Sequence, residues 1–109
     1  MKAKVQRLKA EFKNSPVMMD VFGDIAAERL RQRQLLREGR FKHCCDSREI
    51  SNFQKLAIAT EELGEIAREI FEMHDKNDFS PARLAALRKE QVQLAAVMAA
   101  WLEKPEAKP

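Results

Sequence analysis

The chain interrupts its helical pattern at only three places. These are Asn14-Ser15-Pro16, the run from Gly39 to Asp46, and the run from Asp75 to Phe79 that leads into Ser80-Pro81. Everything between them is built from residues that favour helices, chiefly Ala, Leu, Glu, Lys, Arg and Gln. Only three Gly and four Pro occur in 109 residues, Tyr is absent, and β-branched residues are few. A chain so punctuated folds as helices or not at all, and the pattern predicts an all-α protein.

The apolar spacing fills in the elements. Val5, Leu8 and Phe12 recur at helical intervals over residues 2–13. Ser15 can cap and Pro16 can open a second helix, which runs to about Arg37 with Val17, Val21, Ile25, Leu30 and Leu35 inward and Gly39 as its stop. Residues 39–46 read as a loop that ends in a capping box of Asp46 and Glu49, and a long helix follows to about His74. Ser80-Pro81 repeats the start signal. The last helix runs to about Glu103, with Leu84, Leu87, Leu94, Val97, Met98, Trp101 and Leu102 inward. The expected organisation is a basic extension over residues 1–15, a helical domain over 16–104 and a disordered tail over 105–109. Short connections favour antiparallel neighbours. A core this small would gain from dimerising.

Charge excludes some functions. Twenty basic residues against 17 acidic give a net charge of +3, too balanced to make nucleic acid the main partner. No apolar run approaches a membrane span, and the N-terminus lacks the apolar stretch of a secretory signal. Cys44 and Cys45 are adjacent, which strains a mutual disulfide, so they read as free thiols of a cytoplasmic protein. The basic excess is local: residues 1–13 carry five Lys/Arg and residues 29–42 carry six, each with one Glu. Such a surface beside an acidic cluster suits an anionic ligand that also needs a metal.

The acidic cluster stands in "IATEELGEIAREI", residues 58–70. Residues three or four apart share a helix face, so Glu62, Glu65 and Glu69 form one stripe in line with Ile58. On the last helix Glu90 is in phase with Leu87, Leu94 and Val97, and Gln93 follows one turn on. Carboxylates on inward faces must pair with cations or bind a metal. Two Glu at i and i+3, facing a Glu on an antiparallel helix, would gather oxygens for a hard cation such as Mg²⁺. The alternative is a solvated face, with Glu61, Glu65 and Arg68 in ordinary surface pairs. Arg29 and Arg31 could hold phosphates, pair with the acids, or lie in solvent. Lys55, seven residues before Glu62, shares its face and could reach a phosphate or stay exposed. His43 and His74 read as exposed.

"KLAIATEELGEIAREI", followed by "LRKEQVQLAAVMAAWLE", resembles the MazG-like nucleotide pyrophosphohydrolases of the all-α NTP pyrophosphatase superfamily. Their signature is Glu-Glu-x-x-Glu on one helix and Glu-x-x-Asp on a later one. Glu61, Glu62 and Glu65 match the first, and Glu90 the start of the second. "DIAAERLRQ", residues 24–32, resembles the opening helix of a phage and bacterial subgroup. The likeness spans residues 20–103. It implies an antiparallel helical bundle completed by dimerisation. It implies Mg²⁺- or Mn²⁺-dependent hydrolysis of NTP or dNTP to the monophosphate and pyrophosphate, in a nucleotide-pool housecleaning role. Glu62, Glu65 and Glu90 would be metal ligands, Gln93 would stand where the family has Asp, and Glu61 would be a ligand or orient the attacking water. In place of the subgroup's Lys-Trp the chain has "LLREGRFKHCC", where Phe41 or His43 could stack on a base. Two alternatives stay open: a nucleotide-binding relative weakened by Gln93, and a helical interaction protein with surface glutamates.

Overall fold

Ser15 takes an extended conformation and accepts a hydrogen bond from the Met18 amide at 3.4 Å, which starts a helix with Pro16 at its first position. The same device recurs at Ser80, whose hydroxyl accepts from the Arg83 amide at 3.3 Å. The computed structural model describes residues 1–39 and 50–103. It contains four helices: α1 (Lys2–Lys13), α2 (Pro16–Arg37), α3 (Asn52–Asp75) and α4 (Pro81–Glu103). The described residues are therefore all-α. None of the helices is long and apolar enough to cross a membrane.

The helix ends follow local chemistry. Gly39 adopts φ +74°, and its amide closes on the Leu36 carbonyl at 3.0 Å. After α3, Asn77 takes φ +47°, its amide reaches His74, and the Asp78 amide reaches Met73, a Schellman motif with Asn in the position glycine usually holds. The start of α3 differs from expectation. The capping box is Ser51–Gln54: the Gln54 amide donates to Ser51 Oγ at 3.1 Å and the Ser51 amide donates to Gln54 Oε1 at 2.7 Å. Ile50, just before the cap, is buried, so the chain enters the core before the helix begins. Asp46 and Glu49 lie outside the described residues, as do Phe41, His43, Cys44, Cys45 and the tail.

Helices α3 and α4 run antiparallel, and contacts at three levels set their register. Trp101 donates its indole N–H to Asn52 Oδ1 at 2.9 Å at one end. Glu62 and Glu65 meet Glu90 in the middle. Arg83 reaches Glu72 at 3.0 Å and Glu69 at 3.4 Å at the other end. Ala59, Val97 and Ala100 form the shared core, flanked by Ile58, Leu94 and Trp101.

Helix α2 does not extend this antiparallel pattern. Its stripe at Asp24, Ala27 and Arg31 faces residues 85–92 of α4. Its stripe at Phe22, Ala26 and Arg29 faces Ala99 and Glu103. Two stripes on different sides of one helix touch opposite halves of another, so α2 lies across α4 rather than alongside it. The small, buried Ala96 and Ala100 permit such a crossing. Helix α1 has no buried residue and rests on α2 through an edge-to-face contact of Phe12 with Phe22, 5.6 Å between ring centres.

The core is thinner than the apolar pattern predicts. Leu84, Met98 and Leu102 are exposed, because among the described helices only α2 and α3 pack on α4. On α2, Val17 and Leu30 are exposed while Arg29 and Gln32 are buried. On α3, Leu56, Leu63 and Ile70, seven residues apart, form an exposed apolar stripe on the flank opposite Glu65.

Candidate metal centre

Glu62 and Glu65 project from one flank of α3, one turn apart, and Glu90 meets them from α4. One carboxylate oxygen from each lies within 4.8 Å of the other two. All three side chains are partly buried. Oε2 of Glu62 and Oε2 of Glu90 are buried with no hydrogen-bond partner among the described residues. Buried carboxylate oxygens without a donor are costly, and a cation is the ordinary remedy.

The electrostatics carry the same strain. Burial raises the Glu62 carboxyl above the usual range, and the charges of Glu65, Glu90, Glu61 and Glu28 raise it further. Burial also raises the Glu90 carboxyl, and its neighbour Glu65 raises it further. Two oxygens on one octahedral Mg²⁺ sit at most about 4.2 Å apart. A triad spanning up to 4.8 Å needs only a small inward adjustment or a bridging water to hold such an ion. The donor set, all oxygen and anionic, suits Mg²⁺ or Mn²⁺ and not a soft metal.

The other expected residues divide. Glu61 lies beside Glu62 but is exposed and is not one of the three clustered carboxylates. Gln93 is half-buried, one turn beyond Glu90 on α4. Glu69 is drawn to Arg83 at the far end of the α3–α4 pair. Lys55 is fully buried, so it is not open to a phosphate in this conformation. Arg29 is also buried, and its Nε donates to Glu103 Oε2 at 2.7 Å, on the side of α2 away from the triad. Arg31 is exposed and forks onto Glu28, with Nε to Oε1 at 2.8 Å and Nη2 to Oε2 at 2.6 Å.

Glu28 on α2, unremarkable by spacing, is one of the charges that raise the Glu62 carboxyl. Its side chain is 12% exposed, and it holds Arg31 and Gln32. The signal lay in "ERLRQ", where Glu28 precedes Arg31 and Gln32 by three and four residues; the basic members of that string drew the reading instead. Arg88 and Lys89, which flank the triad on α4, were likewise unmarked. No family model, curated protein or solved structure matches the chain.

Proposed function

We propose that the chain is a metal-dependent nucleoside triphosphate pyrophosphohydrolase of the MazG-like kind, acting on NTP or dNTP. The observation that carries this reading is the convergence of Glu62, Glu65 and Glu90, with two buried oxygens left without donors. A solvated glutamate face would not hold carboxylates partly buried against one another. The match of these same residues to the Glu-Glu-x-x-Glu and Glu-x-x pattern supports it further.

Glu62, Glu65 and Glu90 would hold the ion. When bound, Mg²⁺ neutralises charge on the phosphate oxygens and lowers the pKa of a coordinated water. In this reading Glu61, which is exposed and adjoins Glu62 in the chain, would orient a water toward the α-phosphorus. Gln93 supplies an amide oxygen but no charge, so the site binds metal more weakly than one with Asp at that position. This favours a second reading, a nucleotide-binding relative with little turnover.

The same reading includes assembly. The exposed Leu56, Leu63 and Ile70 stripe gives a second copy an apolar face on which to complete the bundle. A cytoplasmic housecleaning role follows from the resemblance.

The test is a panel of ribo- and deoxynucleoside triphosphates with Mg²⁺, Mn²⁺ or chelator, reading pyrophosphate and monophosphate. Metal-dependent pyrophosphate release that Glu62→Gln removes supports the enzyme. Silence from folded protein, with nucleotide binding intact, supports the second reading.

A further inference from the structure

Helix α1 gathers cations that the fold does not neutralise. It carries Lys2, Lys4, Arg7, Lys9 and Lys13 against one acid, Glu11. None of these cations pairs with a carboxylate among the described residues. Elsewhere arginines find acids: Arg31 pairs with Glu28, Arg83 with Glu72 and Arg88 with Asp24. At about 100° per residue, Val5, Leu8 and Phe12 share one narrow stripe of α1. Lys9 stands one turn after Val5 and Lys4 one turn before Leu8, so a lysine borders each edge of the stripe.

The stripe is open. Val5 and Leu8 are about half exposed, and α1 has no buried residue. Phe12 meets Phe22, and the first turns of α2 add Met18, Met19 and Phe22, all exposed. An exposed apolar patch shared by two helices and bordered by cations marks an interaction surface. Its partner must be anionic and must also accept apolar side chains. Nucleic acid supplies the anions but no apolar depth for Val5 and Leu8. A second copy keeps the exposed apolar stripe of α3 on the flank opposite Glu65, so it does not offer acids and apolar contact together there. An anionic bilayer offers both, with acidic headgroups just above an apolar layer.

We propose that α1 and the first turns of α2 form a docking face for an anionic lipid surface. Helix α1 lies in the plane of the membrane. Val5, Leu8 and the exposed Met18, Met19 and Phe22 enter the boundary between headgroups and acyl chains, while Lys4, Lys9 and Lys13 meet acidic headgroups. The protein rests on the bilayer without spanning it, in keeping with the lack, among the described residues, of a helix long and apolar enough to cross one. This face is independent of the metal site, which is built from α3 and α4.

The experiment is co-sedimentation of the full chain with vesicles of phosphatidylcholine alone, and of phosphatidylcholine with about one-third phosphatidylglycerol. Variants are Lys4→Gln/Lys9→Gln and Val5→Ser/Leu8→Ser, with Arg68→Gln/Lys76→Gln as a charge-matched control at exposed positions of α3 and its C-cap. The parent should bind the anionic vesicles about tenfold or more tightly than the neutral ones, and salt should weaken the binding. Each α1 variant should lose about tenfold or more, and the control should stay within about twofold of the parent. Met18→Ser/Met19→Ser, on α2, reads the same contact if circular dichroism shows that an α1 variant has lost helix. Equal binding by parent and α1 variants overturns the proposal, as does a folded parent that ignores anionic vesicles. Loss in the lysine pair with none in the apolar pair overturns it in favour of a bare polyanion such as nucleic acid. Equal losses in α1 and control variants overturn it as non-specific attraction. A parent that ignores vesicles but sediments as an oligomer, which Val5→Ser/Leu8→Ser breaks up, overturns it and assigns the face to a second copy.

Discussion

Glu62 on α3 and Glu90 on α4 hold carboxylate oxygens within 4.8 Å of each other, and each keeps a buried Oε2 with no hydrogen-bond partner among the described residues. Two like charges in that arrangement oppose folding unless a proton or a cation joins them. The predictions below follow from this pair and from the packing that brings it together.

Removing the Glu62 charge should stabilise the metal-free protein while abolishing the proposed pyrophosphohydrolase activity. Glu62→Gln keeps the shape, removes repulsion with Glu65 and Glu90, and lets an amide hydrogen meet a neighbouring oxygen. The expected gain is on the order of 4 °C in thermal midpoint without metal. Turnover should fall about a hundredfold or more with Mg²⁺ present. Thermal melts with chelator and a pyrophosphate assay check the two halves.

The pH dependence has a defined sign. Glu62 and Glu90 are raised in the folded state, so below the ordinary glutamate range both states are protonated and nothing is lost. As pH rises from there through the raised folded values, the unfolded chain sheds its protons first and stability declines. Metal-free protein should therefore lose stability from these groups as pH rises above about 4.5, the ordinary value for glutamate. Glu62→Gln should flatten the decline, which denaturant titrations at several pH values would show.

The seam between α3 and α4 should resist enlargement. Ala100 is fully buried beside Ala59 and Val97. Ala100→Leu should cost about 1–3 kcal/mol by overpacking. Trp101→Phe removes the hydrogen bond to Asn52 and should cost about 1 kcal/mol. Urea unfolding measures both.

The apolar stripe on α3 should report on assembly. Leu63→Arg with Ile70→Arg places two charges on the exposed face without entering the core. Sedimentation should show an oligomer for the parent and a monomer for the variant, with helix content retained by circular dichroism. A monomeric parent at all concentrations would remove the second copy from the account.

Much of the architecture was legible because local chemistry dictates it. Ser15-Pro16, Ser80-Pro81 and Gly39 mark their helix ends wherever the helices pack. The Glu62–Glu65–Glu90 meeting was legible only in part, since i,i+3 spacing and an antiparallel neighbour allow it but allow a solvated face as well. The start of α3 was not, because Asp46–Glu49 and Ser51–Gln54 offer similar capping chemistry in the sequence, and the box forms at Ser51–Gln54. The fates of Arg29 and Arg31 were not legible either. They are two residues apart, but the crossing of α2 over α4 sends one to Glu103 and the other toward residues 85–92 of α4. Helical periodicity gives the faces of one helix and says nothing of the angle at which the next one crosses it.

The most direct test is Mn²⁺ binding followed by electron paramagnetic resonance, in the parent chain and in Glu62→Gln and Glu90→Gln. The account predicts saturable binding by the parent that Mg²⁺ displaces, and loss of about tenfold or more in affinity in each variant. Equal Mn²⁺ binding in all three proteins, or none in the folded parent, would contradict a metal centre at this triad.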